Sequence, residues 1–165
     1  MKLSPLQFES YVLTDLTFRA RQDFIPNKEL KFTESDLAVI PDVHPIKDQP
    51  RRWQVGLSIK LQPSLGTNSP YELSISLVGI IWVAPQLPLE KLDELVRTNG
   101  PSMLYGVARE MVRDLTARGP FLALVLPSVS FIPDMAAQEV RMATESGEQA
   151  INKPTREPDS PQTKR

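Results

Sequence analysis

The sequence predicts an α+β fold, with strands in the first half and helices after them. Three observations carry this. Residues 53–62 alternate strictly, with Trp53, Val55, Leu57, Ile59 and Leu61 separated by Gln54, Gly56, Ser58 and Lys60. Residues 71–83 keep the same period of two, with Tyr71, Leu73, Ile75, Leu77, Ile81 and Val83 on one face. Beyond residue 100 the period lengthens: Met103, Leu104, Val107, Ala108, Met111, Val112 and Leu115 recur at i, i+4 and i+8. Period two places apolar groups on one face of a sheet, and the longer period places them along one stripe of a helix. Strands first and helices after them make an α+β chain.

The first element is a strand over residues 8–19. Phe8, Val12, Leu16 and Phe18 are expected on one face, and Tyr11, Leu13 and Asp15 on the other. Between residues 20 and 50, Leu30–Phe32 and Leu37–Ile40 could pair with a neighbour. Pro26, Pro41, Pro45 and Pro50 interrupt the pattern there. Proline cannot donate to a central ladder, so one irregular edge strand is expected. Residues 63–70 read as a turn that joins 53–62 and 71–83 into a hairpin. On the second face of 71–83, polar Glu72, Ser74 and Ser76 give way to Val78, Ile80 and Trp82, with Gly79 at the switch. Gly79 is read as the mark of a bulge. A sheet apolar on both faces at one end must cover the second face with another element, another subunit or a ligand.

Two helices follow in this reading. A short one runs over Leu89–Arg97 and stops at Asn99-Gly100-Pro101. Ser102 then caps a main helix that extends to about Arg118. Arg118-Gly119-Pro120 is a second stop, after which Leu122–Val125 packs back on the body. Met135–Met142 reads as a weak helix. Residues 144–165 hold four acidic residues, four basic residues and three prolines, with only Ala150 and Ile151 apolar. That composition predicts a disordered tail. The expected division is therefore one folded domain over 1–133 and a weakly helical, then disordered, segment over 134–165.

The chemistry the sequence excludes is as informative. The chain has no cysteine, which removes disulfides, thiolate metal sites and thiol nucleophiles and agrees with a cytoplasmic address. Gln7, Glu9 and Ser10 break the apolar run after Lys2, so no secretory signal is expected. Leu77–Pro85 is too short to span a bilayer, and no membrane insertion is expected. A net charge of −1 gives no attraction to nucleic acid. One histidine, His44, without cysteine builds no common zinc site. Asp93, Glu94, Glu110 and Asp114 alternate with Lys91, Arg97, Arg109 and Arg113, as on a solvated helix face with ion pairs. No glycine-rich phosphate loop is present. Arg51-Arg52-Trp53 reads as a strand start with two solvated arginines. No catalytic, metal or cofactor residue is assigned, and the chain reads as a binding protein rather than an enzyme.

What remains unspent is apolar surface. Tyr11, Leu13, Val78, Ile80, Trp82 and the segment around Phe121 exceed what one sheet and two helices can hide. A subunit interface and a groove for extended apolar polypeptide both explain them. These six are the candidate client-binding residues.

Specific residues then carry a resemblance. Tyr105, Ala108, Arg109, Glu110, Arg118, Gly119 and Phe121 make an aromatic-x-x-Ala-Arg-Glu segment with an Arg-Gly-x-Phe stop. Leu126, Pro127, Val129, Ser130 and Phe131 follow it, and Asp15-Leu16-Thr17-Phe18 precedes it on the first strand. Over roughly residues 5–133 the chain resembles the SecB family of protein-export chaperones. The resemblance implies a four-stranded antiparallel sheet with two helices packed on one face, assembled as a homotetramer (a dimer of dimers). It implies an ATP-independent holdase that binds unfolded polypeptide clients without cofactor and passes them to the SecA motor. Asp15 keeps one acidic docking position for that motor. Arg19 reverses a second and Ile75 replaces a third, which argues against SecA. Some SecB-like proteins serve one partner, such as an antitoxin, and that alternative stays open.

Overall fold

The computed structural model describes residues 3–29, 33–64 and 66–132. The chain divides into two units, Met1–Phe131 and Ile132–Arg165, and the fold below is that of the first. The expected weak helix over 135–142, the tail after it and the pairing of Leu30–Phe32 fall outside the described residues.

Four strands form one antiparallel sheet: β1 (Leu6–Ala20), β2 (Leu37–Ile46), β3 (Gln49–Leu61) and β4 (Tyr71–Val83), in the order β1-β4-β3-β2. The proline-interrupted strand is β2, and it lies at an edge as its missing donors require. Trp53, Val55, Leu57, Ile59 and Leu61 of β3, with Tyr71, Leu73, Ile75, Leu77, Ile81 and Val83 of β4, form the buried core. Over this face lies one helix, α1 (Leu92–Thr116), preceded by a 3₁₀ turn at Leu89–Lys91.

That single helix corrects the sequence reading, which broke it at Asn99-Gly100-Pro101. Pro101 lies inside α1 and is buried. A proline inside a helix costs about 3 kcal/mol. Leu92 and Val96 before it, and Leu104, Ala108 and Val112 after it, are buried on the same sheet. At about 1.5–3 kcal/mol for each large side chain, this burial outweighs the break. Gly100 is there for contact rather than for a stop. A Cβ at that position would stand 3.1 Å from Val55 and 3.2 Å from Ile81, so the bare Cα lets α1 sit this close to the sheet without displacing those side chains. Ser102 is no cap, because its hydroxyl donates to the Thr98 carbonyl one turn back.

The second correction concerns β1. Its register on β4 shifts between Phe8 and Ser10 and again between Leu13 and Asp15. Each shift is a bulge that inserts one residue, Glu9 and then Thr14, and each reverses the side-chain alternation. Tyr11 therefore pairs with Gly79, and Leu13 with Leu77. Both side chains lie on the helix face, with Phe8, Leu16 and Phe18. Val12, expected beside Phe8, pairs with Val78 on the opposite face. Glu9 accepts a bond from Arg52 at 2.8 Å, and the Thr14 hydroxyl donates to the Ser76 carbonyl. The bulges thus lie in β1 and not at Gly79, through which the β3–β4 ladder runs unbroken. Gly79 makes room instead: a Cβ there would meet Phe8 at 3.1 Å and Leu104 at 3.2 Å.

After α1 the chain returns over the body, as expected for Leu122–Val125. Leu124 and Leu126 are buried, while Leu122 and Val125 are exposed. Three side chains tie this return down. The Tyr71 hydroxyl donates to the Thr116 carbonyl and accepts from the Phe121 amide. The Thr116 hydroxyl donates to the Val112 carbonyl and accepts from the Leu124 amide. The Tyr105 hydroxyl donates to the Pro127 carbonyl at 2.6 Å, and burial pushes its pKa above the ordinary phenol value.

Candidate client-binding surfaces

The six residues singled out in the sequence fall in three places. Tyr11 and Leu13 are 50% and 41% exposed on the helix side of β1, where α1 packs on β2, β3 and β4 and leaves the outer flank of the sheet open. Leu16 continues that strip into a hollow of about 260 Å³ lined by Met111, Val112 and Leu115 of α1. Val78, Ile80 and Trp82 lie on the other face of the sheet, where none of the described helices packs, and all three are half-buried by their neighbours. Phe121 packs into an aromatic cluster, its ring 4.8 Å from Phe24 and 5.8 Å from Tyr71.

The open face is divided along its length. At one end stand Val12, Val78, Ile80 and Trp82. At the other, Asp15, Arg19, Lys60 and Glu72 line a shallow depression of about 300 Å³. Acids and bases are evenly matched there, so the surface has no strong sign. Ile75, read as a lost docking acid, is 1% exposed beneath α1. A carboxylate at that position would point into the core. Glu72, in register with Arg19, is the acid that β4 carries at this end.

A larger groove escaped the sequence reading. It has a volume of about 550 Å³ and lies between β2 and the return segment. Thr33, Leu37, Val39 and Leu61 line one side, and Leu126, Pro127, Ser128 and Val129 the other. Among the described residues, no charged side chain lines it. Its residues are about 90 positions apart in the chain, so no local pattern announces it; only the family motif at Leu126, Pro127 and Val129 pointed to that stretch.

Two buried polar residues hold the loops around this groove. Asp36, 2% exposed, accepts bonds from the Thr33 amide and hydroxyl and from the Ser64 amide and hydroxyl. These donors, the Thr33 amide first, hold its carboxyl well below the usual carboxylate range. They also fix Thr33, which lines the groove, to the β3–β4 connection. Asn68 accepts from the Ile25 amide, and its Nδ2 faces the carbonyls of Ile25, Lys28 and Glu29. That one side chain organises the loop after β1. The remaining polar residues carry no chemistry of note. His44 is exposed on β2, 2.6 Å from Asp42. Arg51, expected in solvent, is half-buried and donates to the carbonyls of Ala84 and Leu87.

The sequence model of the family described as preprotein translocase subunit SecB matches residues 7–141. The chain belongs to the SecB family. Protein-export protein SecB of Paramagnetospirillum magneticum is 24% identical, over 88% of this chain and 93% of its own length. That of Nitrosococcus oceani is 26% identical over 74% of this chain and 68% of its own. Among solved structures, a SecB-like chaperone of Mycobacterium tuberculosis in complex with a ChAD peptide from the HigA1 antitoxin superposes with a TM-score of 0.58. The two are 22% identical, and the match covers 76% of this chain and 91% of the other. That likeness shows the fold. Among the described residues, no helix is long and apolar enough to cross a membrane.

Proposed function

We propose that this SecB-family chain is an ATP-independent holdase, which takes non-native polypeptide into the groove between β2 and the Leu122–Phe131 return. The carrying observation is the groove itself: apolar, lined by no charged side chain among the described residues, and walled by strand β2 on one side and the return segment on the other. Such a lining recognises exposed apolar segments in general and leaves release rapid, because no single contact dominates. The protein works by binding alone, in the cytoplasm, and assembles as a homotetramer. Tyr11, Leu13 and Leu16 serve either that assembly or the client. Val78, Ile80 and Trp82 extend the client's path over the open face, and Phe121 supports the groove from the return segment. Asp15 is the one docking acid kept at the charged end of the open face, where Arg19 and Lys60 offset it and Glu72, so this reading does not depend on handover to the SecA motor.

The test is direct. A denatured, slow-folding client is diluted into buffer with and without the protein, and native mass is read, with the folded client as control. A complex with the unfolded client alone, on a tetramer-sized carrier, is the expected result. No complex with either form would remove general holdase activity and point to one dedicated partner. Ile80→Ser with Trp82→Ser should weaken client binding while the oligomer persists. Loss of the oligomer instead would assign those two residues to a subunit interface.

A further inference from the structure

Proline fixes which way the β2 backbone faces. Pro41 and Pro45 both lie in β2, and a proline within a sheet occupies positions whose nitrogen points off the edge. Main-chain groups alternate in direction along a strand. The odd-numbered residues of β2 therefore present their N–H and C=O groups outward, while Ala38, Ile40, Asp42 and His44 bond to β3. The outward row is not uniform. Pro41 and Pro45 have no N–H to offer, and the Val43 carbonyl is already taken by Arg97 of α1 at 3.2 Å. Among the described residues, what stays open is the amide and carbonyl of Leu37, the amide and carbonyl of Val39, and the carbonyl of Pro41. Among the described residues none of these outward groups has a main-chain partner beyond the strand. Leu37 and Val39 are also the two β2 residues that line the groove.

A free strand edge is a template for another strand. We infer that non-native polypeptide enters the groove as a short β-strand added to the outer edge of β2, bonded through its main chain at Leu37, Val39 and Pro41. This rests on the holdase reading and specifies what it recognises. Main-chain bonds supply affinity independent of sequence, and alternate client side chains pack beside Leu37, Val39 and Val129, the half-buried apolar residues of the lining. The matching ligand is an extended segment with free amides on one edge and apolar residues at every second position. Proline-rich segments and folded chains lack such an edge. Arg97 and the two prolines close the rest of β2, so the paired stretch is short and one contact remains weak enough to release.

Val39→Pro tests this, because at an outward position it removes only the amide that would bond the client. Val39→Ala is the control, since it keeps the amide and loses more side chain. Val39→Pro is expected to bind a denatured client about fivefold more weakly than Val39→Ala, the effect of one lost main-chain bond. Equal affinities would overturn the inference and leave the holdase reading intact. Should Val39→Pro fail to fold, an alternating apolar peptide decides the matter on the unaltered protein. It is N-methylated along one edge, then along the other. Weaker binding of at least one methylated form is expected, and undiminished binding of both would overturn strand addition. If the unaltered protein binds no denatured client at all, the holdase reading and this inference fail together.

Discussion

β3 and β4 pair over ten successive positions, Arg52–Leu61 against Leu73–Trp82, without a register shift. β1 meets the other side of β4 with two. The contrast follows from what each strand touches. β3 and β4 have a strand on either side and α1 across one face, so a slip of one residue would turn a whole row of core side chains to solvent. β1 has one neighbour and a flank that α1 leaves open. An extra residue there costs little, and β1 carries two. The consequence is chemical: the bulges place Tyr11 and Leu13 on the same side as Leu16 and build an exposed apolar strip that strict alternation would have divided between two faces.

Core substitutions should separate the two regions most sharply. Ile59→Ala or Ile75→Ala, at side chains 1% exposed, should cost about 2–5 kcal/mol in urea unfolding. Leu16→Ala on β1, 42% exposed in the protomer, should cost under about 1.5 kcal/mol when measured on dilute protein. Equal losses would mean that β1 is packed as tightly as the centre, and the contrast would fail.

The helix offers a smaller contrast of the same kind. Gly100→Ala pushes a methyl against Val55 and Ile81 and should cost about 1–3 kcal/mol. Gly106→Ala meets nothing within 4 Å and should gain up to about 1 kcal/mol from helix propensity. A loss at Gly106 that depends on protein concentration would instead place that face of α1 in a subunit contact.

The last expectation is read in pH. The carboxyl of Asp36 titrates lower in the folded protein than in the unfolded chain, where it lies at about 3.9. Its stabilising contribution is therefore complete above that value and is lost as pH falls toward the depressed folded value. Asp36→Asn should lower stability at neutral pH and flatten the acid arm of the stability profile. An unchanged acid arm would mean that the Thr33 and Ser64 bonds contribute nothing to folding.

The same contrast explains what the sequence disclosed. β3 and β4 were legible because burial on one face forces strict alternation. β2 was legible through its prolines, which mark an edge. The β1 bulges were not legible, since Glu9 and Thr14 are ordinary strand residues and only the partner register shows them to be extra. At Gly100-Pro101 the local stop signal was plain, and tertiary packing overrode it. The groove was hidden for another reason. Its walls come from opposite ends of the folded unit, and the side chains that position Thr33 belong to a turn that looks unremarkable in isolation.

Site-specific crosslinking tests the central claim most directly. A photoreactive group is placed at Ser128, on the groove, and in a second protein at Thr17, on the charged end of the open face. Each is then mixed with a denatured client and irradiated. Capture of the client from Ser128 well above capture from Thr17, with the folded client giving neither, is the expected result. Capture from Thr17 alone, or equal capture from both positions, would contradict a client path centred on the groove beside β2.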